Sequence, residues 1–246
     1  MKIDHRYHEP DPVAITRTNQ LYGPISRYHR HKVYGMEHIP SKGRCIIAVN
    51  HSFATYDNAL LSRKVHEDTG RVVRSLADRS LFYVPSIGRA VAKSGAVPAR
   101  PKVAEFLLKD REQLVLVAPG GMREALRPSS EKYTVCWESR KGFIRLAIKT
   151  QAPIILSCCP GADDLYTVYE NTLTKMVYRK FRLPVTAIRG LGLSLLPRPI
   201  KLVHYLSEPQ VPPVVDVNNE VEFSEAVDQW HSELTSKMQV MLDEHQ

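Results

Sequence analysis

The sequence predicts an α/β fold: a single-domain sandwich with a largely parallel central sheet flanked by helices. Three observations predict it. Short apolar runs bounded by turn residues alternate with segments whose apolar residues recur at helical spacing. No internal repeat and no long linker interrupts that alternation. The chain has 246 residues, 43% hydrophobic and 24% charged, which suits one domain with a substantial core rather than a disordered chain.

Three parts follow along the chain. Residues 1–32 read as a polar, basic helical segment, residues 33–210 as the main domain, and residues 211–246 as a linker and an amphipathic helix packed on it. Within the domain, Cys45-Ile-Ile-Ala-Val49 is a short apolar run ending at Asn50-His51, and predicts a buried strand. Asp57 to Leu61 opens a helix with an acidic first turn. Arg71 to Leu76 reads as a second strand. Lys102 to Arg111 reads as a helix, with Val103, Phe106 and Leu107 at helical spacing. Leu114-Val-Leu-Val117 is a further strand, broken by Pro119-Gly120-Gly121. Lys141 to Thr150 predicts a helix, Pro153 to Leu156 a strand, and Lys201 to Tyr205 another. Phe223 to Glu244 is the C-terminal helix, with Val227, Trp230, Leu234, Met238 and Met241 along one side.

The formal net charge of +8 favours an anionic partner: nucleic acid, an anionic membrane, or a phosphorylated or CoA-bearing substrate. Cys45, Cys136, Cys158 and Cys159 show no C-x-x-C spacing, as expected of reduced cysteines in a cytosolic protein. The N-terminal residues lack the apolar core of a secretory signal. The longest uncharged run, Thr150 to Ala162, has 13 residues, and a spanning helix needs about 20. A membrane role is therefore expected to be peripheral, on the inner, cytoplasmic face. His5 and His8 could share a helix face as metal ligands, but no third ligand of suitable spacing accompanies them, so no metal is expected.

Candidate chemistry lies where strands end, because parallel sheets gather their sites at the carboxyl ends of strands. His51 follows one strand, and Asp57 stands six positions on. In a regular helix that separation is about 240°, so the two side chains meet only across an irregular turn. Asp57 would then accept from one ring nitrogen and leave the other free to take a hydroxyl proton. A capped histidine in an ordinary turn is the alternative. Val117-Ala-Pro-Gly-Gly-Met-Arg-Glu-Ala-Leu126 is the second element. Glycines after a strand expose N–H groups suited to an oxyanion or anion, and Arg123 adds a fork of positive charge. A simple β-turn with a solvated Arg123–Glu124 pair is the alternative. Arg140-Lys-Gly-Phe143 and Ala152-Pro-Ile-Ile-Leu156 have no chemistry of their own and read as a helix entry and a buried strand.

NHSFATYD, PGGMREAL, RKGF and APIIL, in this order, resemble the glycerolipid acyltransferase superfamily, whose motifs are N-H-x4-D, P-E-G-T-R-like and V-P-I-like. The closer resemblance is to the branch of phytyl ester synthases and diacylglycerol acyltransferase relatives, with PGG-x-REA followed by R-K-G-F. It covers roughly residues 33–210. The resemblance implies an O-acyltransferase with a fold of that superfamily. His51 would be the general base and Asp57 its orienting partner. Gly120, Gly121 and Arg123 would lie in the acceptor or anion-binding motif, and Pro153 in the structural strand motif. It also implies an acyl-CoA or acyl-ACP donor, a lipid acceptor, no cofactor and no metal. Three departures bear on substrate. Five residues separate His51 from Asp57, where the broad superfamily has four and the neutral-lipid branch shares the longer gap. Gly120 replaces the acid of P-E-G-T-R, which points to a neutral, diacylglycerol-like acceptor over lysophosphatidic acid. Gly95-Ala-Val-Pro-Ala-Arg100 only partly matches the family's phosphate-binding arginine motif, leaving Arg100 either a phosphate ligand or a solvated loop residue.

Other classes fit less well. No G-x-S-x-G elbow supports a serine hydrolase. No RNP-like, helix-turn-helix or zinc-finger pattern supports a nucleic-acid module, so no nucleic-acid partner is expected. Gly190-Leu-Gly192 lacks the third glycine of a dinucleotide site. Asn171 to Ser207 has no Asp or Glu, yet interleaves Lys175, Arg179, Lys180, Arg182, Arg189, Arg198 and Lys201 with bulky apolar residues. One sign of charge among leucines and aromatics suits an anionic membrane surface. Leucines in the core with solvated cations are the alternative.

Overall fold

The computed structural model describes residues 9–169 and 187–246. Helix α1 (Pro12–Tyr28) precedes β1 (Lys32–Tyr34) and β2 (Cys45–Val49). Then come α2 (Tyr56–Thr69), β3 (Val73–Ala77), α3 (Pro85–Lys93), β4 (Val97–Pro98), α4 (Pro101–Lys109) and β5 (Leu114–Val117). The short α5 (Gly121–Ala125), α6 (Gly142–Thr150), β6 (Ile154–Cys158), β7 (Thr167–Val168), β8 (Ile188–Arg189) and β9 (Val203–Leu206) lead to the C-terminal α7 (Glu220–Glu244).

The central sheet has the order β1-β9-β6-β2-β5-β3-β4. Pairing is parallel throughout except between β6 and β9. The two strands β9 and β1 therefore run against the other five, and β7 pairs β8 in a separate ribbon. The α/β sandwich with a largely parallel sheet is what the alternation of elements predicts.

Strands β2, β5 and β6 are buried along their whole length, as parallel strands covered on both faces must be. Side chains alternate between two cores. Ile46, Ala48, Val115 and Leu156 face a cluster with Leu107 and Leu108 of α4, Ile144 and Ile148 of α6, and Val227, Trp230 and Leu234 of α7. Cys45, Ile47, Val49, Leu114 and Leu116 face Leu61 and Val65 of α2 on the other side. Helix starts are chemically marked. Asp11 caps α1 by accepting from the Val13 N–H at 2.9 Å, proline opens α1, α3 and α4, and Asn219 caps α7.

Some boundaries differ from the sequence reading. Arg71 is not in a strand. Its guanidinium donates to the carbonyls of Pro40, Gly43 and Glu112 and pins three loops, so β3 starts at Val73. The strand expected from Lys201 starts at Val203. Helix α3 went unread because Gly88 interrupts its pattern. The glycine packs closely there: a Cβ would lie 3.0 Å from the Phe82 Cα and would push that residue back.

Leu234 of α7 is 2% exposed and sits in the larger cluster. Leu234→Ala is expected to destabilise the fold by about 2–5 kcal/mol, read from the urea midpoint. An unchanged midpoint would mean α7 is not part of the cooperative core.

Candidate active site

Strands β2 and β5 are parallel neighbours, with Ala48 opposite Val117. Their carboxyl ends therefore lie side by side. Asn50 is buried and closes the first end onto β6: its Oδ1 accepts from the Cys159 N–H at 2.8 Å. His51 follows. Thr55 takes a left-handed conformation at φ 55°, which ends the irregular turn and starts α2 at Tyr56. Asp57 then falls in the first helical turn, fully buried.

The second end is the Pro119-Gly120-Gly121 turn. Gly121 has φ 51° and donates its N–H to the Ala118 carbonyl at 3.1 Å, so that N–H is committed to the turn. Arg140 donates to the carbonyls of Gly120 and Pro119 and clamps the turn from outside. Arg140-Lys-Gly-Phe143, read from sequence as inert, thus holds the shape of this loop. A Cβ on Gly120 would run into the Glu124 side chain.

Glu124 joins the two ends. It is 0% exposed, not half of a solvated pair. One oxygen accepts from the His51 N–H at 3.1 Å and the other from the Cys136 N–H at 3.1 Å. Arg127, one turn on, lies 3.6 Å from this carboxylate and pairs on its other side with Asp163. The Arg127 guanidinium also donates to the Thr134 carbonyl at 2.7 Å. A cleft lined by Phe53, Glu124, Arg127, Asp163 and Tyr166 opens beside these groups.

Burial, then the charge of Arg127, lowers the His51 pKa to about 4, so its imidazole is neutral at ordinary pH. Its Nδ1 is sealed from solvent and carries no hydrogen bond. Burial pushes Asp57 up to about 7; N–H groups at the start of α2 offset part of this, and the charge of Asp163 adds to it. Those N–H groups face the Asp57 oxygens without closing a hydrogen bond, and the His51–Asp57 bond expected from the spacing is not closed here either. Burial also raises Glu124 to about 7, against the lowering by the Cys136 N–H and Arg127. A neutral imidazole with a buried carboxylate nearby can take a proton from a bound hydroxyl. Such hydrogen bonds are often open before substrate arrives.

The other sequence candidates land elsewhere. Arg123 is exposed and pairs with Glu138 at 2.6 Å. Arg100 is exposed at the start of α4 and makes no ion pair among the described residues. Sequence reasoning missed Arg127 and Asp163, whose pairing across the fold no local spacing reveals. His5 and His8 lie outside the described residues, and no cluster of three His, Cys, Asp or Glu residues suited to a metal occurs among those described.

A family model described as Acyltransferase matches residues 30–159. The chain is 32% identical over 189 residues to the "DGAT1/2-independent enzyme synthesizing storage lipids" of Bos taurus, covering 76% of this chain and 54% of that one. The human protein of the same name matches at 32% over 76% of this chain and 56% of its own. An uncharacterized protein of Mycobacterium tuberculosis is 31% identical over 74% of this chain and 52% of its own. The chain thus spans about half the length of the curated relatives it matches. Its fold resembles the crystal structure of the 1-acyl-sn-glycerophosphate acyltransferase of Thermotoga maritima, with TM-score 0.54, 15% identity, and coverage of 91% of this chain and 79% of that one.

Asp57 sets a pH dependence of stability. Its folded pKa, about 7, exceeds the reference value of 3.8. The folded state therefore holds a proton that the unfolded state releases, and stability is lost as pH rises from about 4 through 7. Asp57→Asn removes this dependence. The variant is expected to be more stable than the parent near pH 8, by on the order of a few kcal/mol, and equal to it near pH 4. Equal stability differences in melts at both pH values would contradict the assignment.

Proposed function

The chain belongs to the acyltransferase family, and from that membership we propose that it is an O-acyltransferase using an acyl thioester donor, acyl-CoA or acyl-ACP, and a lipid hydroxyl acceptor. The observation that carries the reading is His51: a neutral imidazole with its Nδ1 turned inward, seated where β2 and β5 end together. The acceptor hydroxyl gives its proton to His51 Nε2 as its oxygen attacks the thioester carbonyl carbon. The tetrahedral intermediate then expels the thiolate, which takes the proton back from His51. Asp57, ionised, stabilises the imidazolium between these steps. Neither a metal nor an acyl-enzyme enters the sequence.

The acceptor is neutral in this reading, diacylglycerol-like. Two observations support it. Arg100 and Arg123, the cations that would hold a phosphate, are exposed, and Arg123 is already paired with Glu138. Arg127, whose charge acts on His51, is already balanced by Asp163 and Glu124. The storage-lipid names of the relatives agree with this acceptor class. One fact weighs against the sequence argument from Gly120: the acid absent there is supplied by Glu124, packed onto the same glycine.

Contact with the membrane is the second part of the proposal. Leu191, Leu193, Leu195 and Leu196 are 49%, 92%, 69% and 64% exposed in one turn, so these leucines are not core. No helix among the described residues is long and apolar enough to cross a membrane. A leucine turn beside Arg189 suits the headgroup boundary of an anionic, cytoplasm-facing leaflet, where each leucine leaving water contributes about 1.5–3 kcal/mol at full burial. Arg179, Lys180 and Arg182, from the same basic stretch, lie outside the described residues.

Purified protein with labelled acyl-CoA and a panel of lysophospholipid, monoacylglycerol, diacylglycerol and fatty-alcohol acceptors tests the activity. Acylation of diacylglycerol is expected. Conversion of lysophosphatidic acid alone would overturn the neutral acceptor, and no transfer to any acceptor would overturn the function. Leu193→Ser with Leu195→Ser is expected to weaken co-sedimentation with anionic vesicles while leaving Tm unchanged. Undiminished binding would place the contact on another surface.

A further inference from the structure

A buried histidine, His204, and a half-buried one, His31, stand behind Asp57, and neither takes part in the proton transfer. His204 lies on β9, with its side chain 1% exposed. Its Nδ1 meets His31 Nε2 at 3.0 Å, the two rings edge-on with centroids 5.2 Å apart. Its other nitrogen, Nε2, lies 3.9 Å from Asp57 Oδ2 and carries no hydrogen bond. Three separate elements bring these groups together: the residue before β1, strand β9 and the first turn of α2. Parallel pairing of β1 with β9 fixes the first two, with Val33 opposite His204.

The contact selects a proton arrangement. One proton lies between His31 Nε2 and His204 Nδ1. If His31 donates it, His204 carries its own proton on Nε2, facing the carboxylate. In the reverse arrangement a lone pair on His204 Nε2 would face the carboxylate, which is repulsive once Asp57 is ionised, above about pH 7. Asp57 therefore favours Nε2–H on both rings. Burial keeps both rings neutral, helped at His31 by the charges of Arg63 and Lys64. The pair thus acts as a hydrogen-bond donor, not as a counter-charge. At 3.9 Å the gap is too short for a water on the line between the atoms, and a shift of about 1 Å closes it to hydrogen-bond distance.

Other groups face Asp57. The Tyr56 hydroxyl is bonded to His29 at 2.7 Å. Asp163 is held by Arg127 and by the Tyr133 N–H. Cys159 and Ser52 complete the surroundings. His204 differs from these groups in having one ring nitrogen held from behind by His31 while the other, facing Asp57, is still unbonded.

We propose that His204, itself oriented by His31, is a positioning residue for Asp57: its Nε2–H holds one carboxylate oxygen and so fixes the other toward His51. The proposal rests on the reading of Asp57 as the partner of His51. Its test has an arm that does not depend on activity. Imidazole 15N NMR of the full chain is expected to show His204 protonated at Nε2, with that signal moved by Asp57→Asn. A bare Nε2, or a signal indifferent to Asp57→Asn, would overturn the proposal. In the kinetic arm, His204→Leu is expected to lower kcat by about 10-fold, as loss of an orienting second partner does elsewhere, with little change in KM. The acid limb of its pH profile should move to higher pH, because the carboxylate loses a donor that favours its charge. His204→Gln, which keeps an N–H near the Nε2 position, should recover most of kcat. In an Asp57→Asn background, His204→Leu should have no further effect. Full kcat in folded His204→Leu protein, or the same loss in the Asp57→Asn background, would overturn it. A parent protein that transfers no acyl group refutes the functional reading, and the NMR arm still decides whether the histidine contact holds Asp57.

Discussion

The site depends on one buried carboxylate. Glu124 accepts from the His51 N–H with one oxygen and from the Cys136 N–H with the other, and both donors belong to segments remote from it in sequence. It thereby fixes the backbone that carries His51 relative to the turn after β5. A carboxylate at 0% exposure is costly unless charged and polar partners surround it. Arg127 supplies the charge and Asp163 balances Arg127 in turn. Gly120 supplies the room, since any side chain there would occupy the volume that Glu124 fills. Arg140 keeps the turn in shape from outside by holding its carbonyls. Removing Arg127 or either carboxylate leaves an unpaired charge in the core, the costly half of a buried ion pair.

Around this anchor the chain spends stability on unsatisfied polar atoms. His51 Nδ1, Ser52 Oγ, both Asp57 oxygens, Ser157 Oγ and His204 Nε2 are all buried without a hydrogen bond. They gather where β2, β6 and β9 approach α2. Burial pushes His51 and Asp57 in opposite directions, the imidazole toward neutrality and the carboxyl toward holding its proton. Perturbed groups that come together at the carboxyl ends of strands are characteristic of sites tuned for proton transfer. The other side of the same strands, around Ile144 and Trp230, is mainly apolar, with Trp137 Nε1 and His231 Nε2 its buried atoms without a bond.

Much of the frame was legible in the sequence. Cys45–Val49 and Leu114–Val117 are strands with the boundaries their apolar runs suggested, because a strand buried on both faces has no other composition open to it. The helices around Phe106, Ile144 and Trp230 were legible from their periodicity. Their amphipathic faces are what hold them in place. Acyltransferase membership was legible from the order of motifs. The chemistry between motifs was not. Arg123 stood out as the cation of its motif, yet it points to solvent, whereas Arg127 turns inward. Nothing in PGGMREALR distinguishes the two, since the choice is made by Asp163 in a distant segment. His31 and His204 belong to no motif in the sequence, because their meeting is set by strand pairing. The reversed direction of β9 and β1 was equally hidden, as short edge strands carry little pattern.

The account's central claim is that His51 accepts the proton of a lipid hydroxyl as that oxygen attacks a thioester. Single-turnover acyl transfer by folded His51→Ala protein, with and without added imidazole, tests it most directly. The account predicts a fall on the order of 100- to 10,000-fold, the usual worth of a general base, and partial recovery as imidazole enters the emptied space. Turnover at the parent rate in well-folded His51→Ala protein would contradict it.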